Sequence, residues 1–318
     1  MRTVDLFCGG GGLSLGFQNV GFDIVAAFDK WQSALEVYKL NFKHDVFDDD
    51  LSSPSVVSKI QSMKPTVIIG GPPCQDFSSA GKRDESCGRA DLTISFSNII
   101  ANIKPKWFVM ENVDRAAKSN TFLSAIKTFK ENNYGITIRV LDASRCGAPQ
   151  IRKRVFVIGK MFEKDDFLGN ILDNRQSDTQ MTLREYFGDS LGVEYYYRHP
   201  RSYARRGIFS IDEPSPTIRG VNRPVPKGYS KHSGDPCDIF DGLRALSVEE
   251  RALIQTFPVN FKFIGTKTDI EQVVGNAVPV KLAEFVASAI TEYENRNKIE
   301  SFSGLIKNKN TIYSGIAV

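Results

Sequence analysis

The chain has 318 residues, 41% hydrophobic and 25% charged, which suits one large lobe with a smaller one and excludes a disordered or fibrous protein. Five scattered cysteines without a C-x-x-C pair, and three unclustered histidines, argue for reduced thiols in a cytoplasm and against a disulfide framework, a zinc site or metal catalysis. A net charge of +4 is too small to reveal a nucleic-acid partner, while the lack of a signal-peptide pattern and of any apolar run longer than a strand speaks against export or a membrane span.

In the first half, short runs rich in β-branched and aromatic residues alternate with helical patterns. Strands are expected at residues 3–7, 23–28, 66–70, 107–111, 136–143 and 154–159. Between the second and third lies a helical pattern at 31–42, where Ala34, Leu35, Tyr38 and Phe42 share a face. Strands separated by helices imply an α/β fold with a mainly parallel sheet covered on both sides, whose ligands sit beyond the carboxyl ends of the strands. From about residue 162 the rhythm changes. Residues 195–240 carry six prolines and no long helical period, which reads as a loop-rich second lobe. Helical patterns return at 247–255 and at 280–293, the latter with a stripe of Ala283, Val286, Ala287 and Ile290; residues 301–318 give no clear signal.

The first strand ends in Asp5-Leu6-Phe7-Cys8 and four glycines, Gly9 to Gly12. Such a turn lets the backbone approach a ligand closely. The dinucleotide pattern G-x-G-x-x-G is not met, which argues against an ordinary pyrophosphate cradle. Asp29, twenty residues after Gly9, is placed to accept hydrogen bonds from two ribose hydroxyls, so an adenosine-containing cofactor without a bridging pyrophosphate fits. Gly70-Gly71-Pro72-Pro73-Cys74-Gln75 follows an apolar strand, and the two prolines fix where the thiol points. A lone cysteine is by default a buried structural residue. On a Gly-Gly-Pro-Pro turn beside Gln75, Asp76 and Ser78 it reads instead as a nucleophile.

Glu111-Asn112-Val113 ends the next strand and brings a carboxylate to the same edge. In Gln150-Ile151-Arg152-Lys153-Arg154 the glutamine and both arginines are spaced by two and project to one face if the segment is extended. Two guanidinium groups aimed at one point suit a carbonyl oxygen or a phosphate. Between Arg198 and Lys231 lie eight basic residues against only Asp212 and Glu213, where a polyanion would meet the chain.

DLFCGGGGLSLGF at 5–17, GGPPCQDFS at 70–78, ENV at 111–113, QIRKR at 150–154 and GNAVP at 275–279 stand in the order and spacing of the cytosine-5 DNA methyltransferase family, which the chain resembles over roughly residues 3–295. The resemblance implies a class I S-adenosylmethionine-dependent methyltransferase, with a Rossmann-like mixed, mainly parallel sheet and a smaller loop-rich target-recognition domain. The expected division is 1–165 plus 270–300 for catalysis and cofactor, 166–269 for recognition and hinge, and 301–318 as a tail.

It also implies roles. Cys74 would attack carbon 6 of a flipped-out cytosine, Glu111 would hold or protonate ring nitrogen 3, and Arg154, helped by Arg152, would bind the ring carbonyl oxygen. S-adenosyl-L-methionine would lie against Phe7, Gly9, Gly10, Gly12, Asp29, Asp50, Leu51, Pro73, Leu92, Asn276 and Val278. Asp29 stands where the family usually has Glu. The next position, often an aromatic, is Lys30, with Trp31 one place later, and either is a candidate cofactor contact. In the segment after the nucleophile, Arg89-Ala90-Asp91-Leu92 departs from the usual R-G-x-L. Pro216-Thr217-Ile218-Arg219 resembles the motif that packs on the flipped nucleotide, so Gln75, Ser78, Thr217, Arg219, Asn222 and Arg223 are candidate DNA contacts. The implied partner is double-stranded DNA in a bacterial restriction–modification setting, with a restriction endonuclease as functional counterpart, a monomer in action, and neither metal nor membrane. An RNA (tRNA) cytosine-5 methyltransferase is the alternative. A zinc nucleobase deaminase is not, because Phe77 occupies the second cysteine position of P-C-x-x-C and no H-x-E exists.

Overall fold

The computed structural model describes residues 1–73, 92–202 and 204–313, with side chains described through residue 299. Cys74, Gln75, Ser78 and the 89–91 segment lie outside the described residues.

Five strands form the parallel part of a seven-stranded sheet: β1 (Arg2–Leu6), β2 (Asp23–Phe28), β3 (Asp45–Phe47), β4 (Val67–Gly70) and β5 (Trp107–Val113). Two more, β6 (Tyr134–Asp142) and β8 (Lys153–Met161), complete it antiparallel, with the two-residue β7 (Gln150–Ile151) between them in sequence. The order is β3-β2-β1-β4-β5-β8-β6. Chain direction across the sheet reverses between β1 and β4, and this switch point opens a crevice at their carboxyl ends. There Leu6 pairs with both Phe28 and Gly70, and Gly70 with Met110, so the residues that follow each strand share one edge. Gly70 can only be glycine, since a Cβ would meet the Leu6 carbonyl oxygen at 2.4 Å.

Both sheet faces are covered, as near-continuous apolar strands require. One face packs on α1 (Gly12–Asn19), α6 (Gly169–Arg175) and α10 (Val280–Tyr313) through Leu13, Phe17, Trp107, Ile158, Leu282 and Val286. The other packs on α3 (Ser55–Ser62), α4 (Leu92–Ile103) and α5 (Asn120–Glu131) through Leu6, Phe28, Ile68, Phe96, Phe108 and Phe129. The expected helix at 31–42 is α2 (Gln32–Asn41), whose Ala34, Leu35 and Tyr38 are fully buried. A Cβ on Gly16 would sit 2.4 Å from that of Ala283, so the two backbones of α1 and α10 are in close approach.

The stripe Ala283, Val286, Ala287 and Ile290 is buried as expected, but α10 runs on to Tyr313, through residues that carry no clear signal of their own. By composition, residues Lys267–Ile299 are a longer apolar run than the strand-sized ones expected from the sequence, long enough to cross a membrane. They form instead two helices, α9 (Lys267–Asn276) and α10, broken at residues 277–279, and the apolar window is 78% buried inside the protein. Polar residues interrupt the run, so no long unbroken apolar stretch marks it in the sequence.

Residues 183–257 build the smaller lobe from α7 (Leu183–Phe187), the antiparallel pair β9 (Tyr195–Tyr197) and β10 (Ile208–Ser210), β11 (Ser215–Pro216) and α8 (Val248–Ile254). Its core of Leu183, Tyr196, Phe209, Ile218, Ile254 and Phe257 extends onto Val274, Ala277 and Val280. β11 pairs with β7, which docks this lobe directly on the sheet lobe.

Candidate active site

A cleft of about 1540 Å³ lies between the carboxyl edge of the sheet and the smaller lobe. Its sheet side begins at the glycine turn. Phe7 takes φ 61°, a left-handed conformation that costs a side chain energy and persists only where its surroundings enforce it. Gly10 and Gly12 are required for space: a Cβ would meet Val273 Cγ1 at 2.5 Å and the Val278 carbonyl oxygen at 2.2 Å. Gly12 opens α1, whose N-terminus has no side-chain cap, leaving backbone N–H groups for an anionic ligand.

Asp29 holds this turn, accepting from Gly9 N at 2.8 Å and Trp31 N at 2.9 Å, with the Lys30 backbone N–H a further donor to its carboxylate. Lys30 Nζ pairs with Asp50 Oδ2 at 2.5 Å, while Asp50 Oδ1 accepts from Ser52 N and Oγ. These partners hold the Asp50 carboxyl down at about 2. Lys30 and Trp31 both line the cleft, beside Leu51, Pro73, Leu92, Asn276 and Val278.

Behind the turn is a polar group that sequence reasoning did not single out. Asp5 is fully buried; its Oδ2 accepts from Ser14 Oγ at 2.6 Å, and Tyr38 Oη donates to the same Ser14 Oγ. His44 Nε2 lies 2.8 Å from Tyr38 Oη. Burial, with Asp29 nearby, pushes Asp5 up to about 8 despite its hydrogen bond to Ser14. Because the folded value exceeds the unfolded one, the folded state holds the proton across the interval, and stability falls as pH rises from about 4 to about 8. Asp5→Asn is expected to gain on the wild type in melting temperature across that interval. Calorimetric scans at several pH values check this; identical slopes in both proteins contradict it.

The middle of the edge carries Glu111 at the end of β5. Its Oε1 pairs with Arg154 Nε, at the start of β8, at 2.9 Å, with only 10% and 15% of the two side chains exposed. Gly71 leaves the room this needs, its Cβ position lying 3.0 Å from Glu111 Oε2. Burial raises the Glu111 carboxyl above the usual range, against the pull of Arg154 and then Arg152. Asn112, also unassigned from sequence, donates from Nδ2 to the Pro72 carbonyl at 3.0 Å and so fixes the approach to position 74.

Residues 1–292 match the family described as C-5 cytosine-specific DNA methylase. The Type II methyltransferase M.HindV of Haemophilus influenzae is 58% identical over 296 residues, covering 92% of this chain and 97% of the relative. M.HgiDI of Herpetosiphon aurantiacus, also a Type II methyltransferase, is 51% identical over 304 residues, covering 95% and 98%. The chain belongs to this family. Among solved structures, S. pombe Dnmt2 methyltransferase has a TM-score of 0.72 at 18% identity, covering 93% of this chain and 99% of that one, a likeness of fold. A putative DNA modification methyltransferase from an E. coli prophage follows at 0.68 and 22%, covering 93% and 99%.

In this cytosine-5 methylase the two arginines of the Q-x-R-x-R run do not share a target. Arg154 reaches Glu111. Arg152 is fully buried and donates to the carbonyls of Ile218 and Gly275, each at 3.0 Å, and of Asn276 at 3.5 Å. Strict alternation fails because the chain leaves β7 at Ile151 and re-enters the sheet at Lys153, pairing on each side with different strands. Arg152 therefore lowers the Glu111 pKa only through its charge.

In the smaller lobe Thr217 Oγ1 donates to the Ile151 carbonyl at 2.7 Å, and Thr217 and Arg219 line the cleft. Arg219 also donates to the His199 carbonyl, and Asn222 Nδ2 to the Leu246 carbonyl at 2.8 Å, so both side chains brace their own loop. Arg206 pairs with Glu213 and Lys231 with Asp238. Arg201 and Arg205 line the cleft and, like Arg223, form no ion pair among the described residues.

Proposed function

We propose that this protein is a Type II methyltransferase that moves a methyl group from S-adenosyl-L-methionine to carbon 5 of a flipped-out cytosine in a specific duplex DNA sequence, protecting that DNA from a cognate restriction endonuclease. The observation that carries the reading is the buried Glu111–Arg154 pair, set on the same edge as the Pro72–Pro73 turn that leads to Cys74. An acid and a fixed guanidinium side by side match the ring nitrogen 3 and carbonyl oxygen of one cytosine.

The glycine turn fits the methyl donor: a backbone packed so closely that Gly10 and Gly12 have no room for a side chain, uncapped N–H groups for its carboxylate, and Asp29, Asp50 and Leu51 for its adenosine. When bound, it supplies an electrophilic methyl group on a sulfonium. Carbon 5 of cytosine does not accept that group unaided. Attack of the Cys74 thiolate on carbon 6 forms a sulfur–carbon bond and moves electron density toward carbon 5, while Glu111 holds a proton at nitrogen 3 and Arg154 steadies the carbonyl oxygen. After methylation, loss of the carbon 5 proton expels Cys74 and restores the ring. Residues 1–165 with 270–300 are read as the catalytic domain, and 166–269 as the target-recognition domain and hinge. Thr217 and the free arginines there support a duplex partner.

Bisulfite sequencing of plasmid DNA from cells expressing the protein tests the reading. Protected cytosines confined to one short sequence are expected. Unmodified plasmid together with methylated tRNA in the same cells would overturn it in favour of an RNA substrate.

A further inference from the structure

Gln255, in the cap after α8, is fully buried. Its Nε2 donates to the carbonyls of Val274 at 2.6 Å and Ala277 at 3.2 Å, on either side of Asn276. Its Oε1 accepts from Gln150 Nε2 at 2.8 Å. Gln150 is fully buried as well, and its own Oε1 accepts from the backbone N–H of Ile218 at 2.8 Å, next to Thr217. Arg152 closes the ring by donating to Ile218 O and Gly275 O. The wall that carries Asn276 and Val278 and the loop that carries Thr217 and Arg219 are thus joined by two amides and one guanidinium, all removed from water.

Amides are called for here because the carbonyls of Val274 and Ala277 and the backbone N–H of Ile218 are buried and need polar partners. What the amides add is direction. Each donates at one end and accepts at the other, so a shift of residue 218 relative to 274–277 leaves a buried polar group without a partner. The ring therefore favours one register between the two walls of the cleft, and a ligand that needs that register on one wall favours it on the other.

We propose that Gln255, acting through Gln150, is a positioning residue that couples the two halves of the cleft, so that occupancy of the Asn276–Val278 wall by cofactor tightens the grip on duplex at Thr217, and the reverse. The proposal rests on the functional reading above. Gln150 and Arg152, beside Arg154 in sequence, spend their donors on this ring, and among the described residues only Arg154 pairs with Glu111.

The test measures binding of S-adenosylhomocysteine to the full-length protein, alone and with saturating duplex that carries the target found by bisulfite sequencing. Duplex is expected to lower the Kd of the wild type roughly tenfold, within the usual span for coupled sites. In Gln255→Met, and separately in Gln150→Met, the ratio should fall below about twofold, with circular dichroism unchanged at the assay temperature. The double variant should lose no more than either single one, because both remove the same link. Either single variant suffices if the other does not fold. A wild-type ratio near one, an undiminished ratio in the folded variants, or additive losses would overturn the proposal. A wild type that binds no S-adenosylhomocysteine at all would overturn the functional reading itself, and is told apart by the first titration.

Discussion

Cys74→Ser is expected to lower methyl transfer below about a hundredth of the wild-type rate while leaving duplex binding largely intact, since loss of a nucleophile usually costs several powers of ten. Both the chemistry of a thiolate and the approach to position 74 underlie this loss. A thiolate is available near neutral pH and attacks carbon strongly, whereas a serine hydroxyl must first be stripped of a far less acidic proton. The approach is held from both sides: β4 ends at Gly70 against the Leu6 carbonyl, and Asn112 anchors the Pro72 carbonyl. Transfer of labelled methyl groups to target duplex, with a gel-shift assay on the same protein, separates chemistry from binding. Turnover above that level, or failure of duplex containing 5-fluorocytosine to become trapped on the wild type in the presence of methyl donor, would remove covalent catalysis from the scheme.

The second large effect is expected at Glu111. Glu111→Gln keeps the shape of the site but removes the group that holds a proton at nitrogen 3, and the rate should drop about 10²- to 10⁴-fold, the usual worth of a positioned acid. The pH dependence has a definite sign. Burial lifts the Glu111 carboxyl above its unfolded value, so the folded protein keeps this proton to higher pH than a free glutamate would. Whatever stability and activity the proton carries are present below the unfolded value and are lost as pH rises through the folded one. Arg154 opposes the rise, so Arg154→Met should move the alkaline limb of the rate profile further up. It also strands a buried carboxylate, at a cost of about 3–5 kcal/mol when ionised. Rate profiles of both variants and denaturant unfolding of Arg154→Met check these points. An alkaline limb that stays in place in Arg154→Met contradicts the assignment.

Much of this was legible in the sequence. The alternation of short β-branched runs with amphipathic stretches specified an α/β sheet, because hydrophobic periodicity is a local property of the chain. The chemical groups were legible for the same reason: DLFCGGGG, PPC, ENV and Q-x-R-x-R are contiguous runs, and Phe7, Asp29, Asp50, Glu111 and Arg154 all line one cleft. Strand order was not legible. Nothing local says that β8 inserts antiparallel between β5 and β6, or that the apolar stretch 267–299 folds into the core as two helices.

Tertiary structure also decided which of the singled-out side chains face the cleft and which brace it. Arg152 and Arg154 look equivalent by spacing, yet a strand break between them sends one to backbone carbonyls and the other to Glu111. Arg219 and Asn222 look like free readers of DNA but spend donors on carbonyls 20 and 24 residues away. Gln255 carried no signal at all, because its importance lies in partners 105 residues away in one direction and 19 and 22 in the other. Periodicity and motif spacing report what a residue can do, whereas the partner that uses up its hydrogen bonds is set by segments far along the chain that meet only when the core closes.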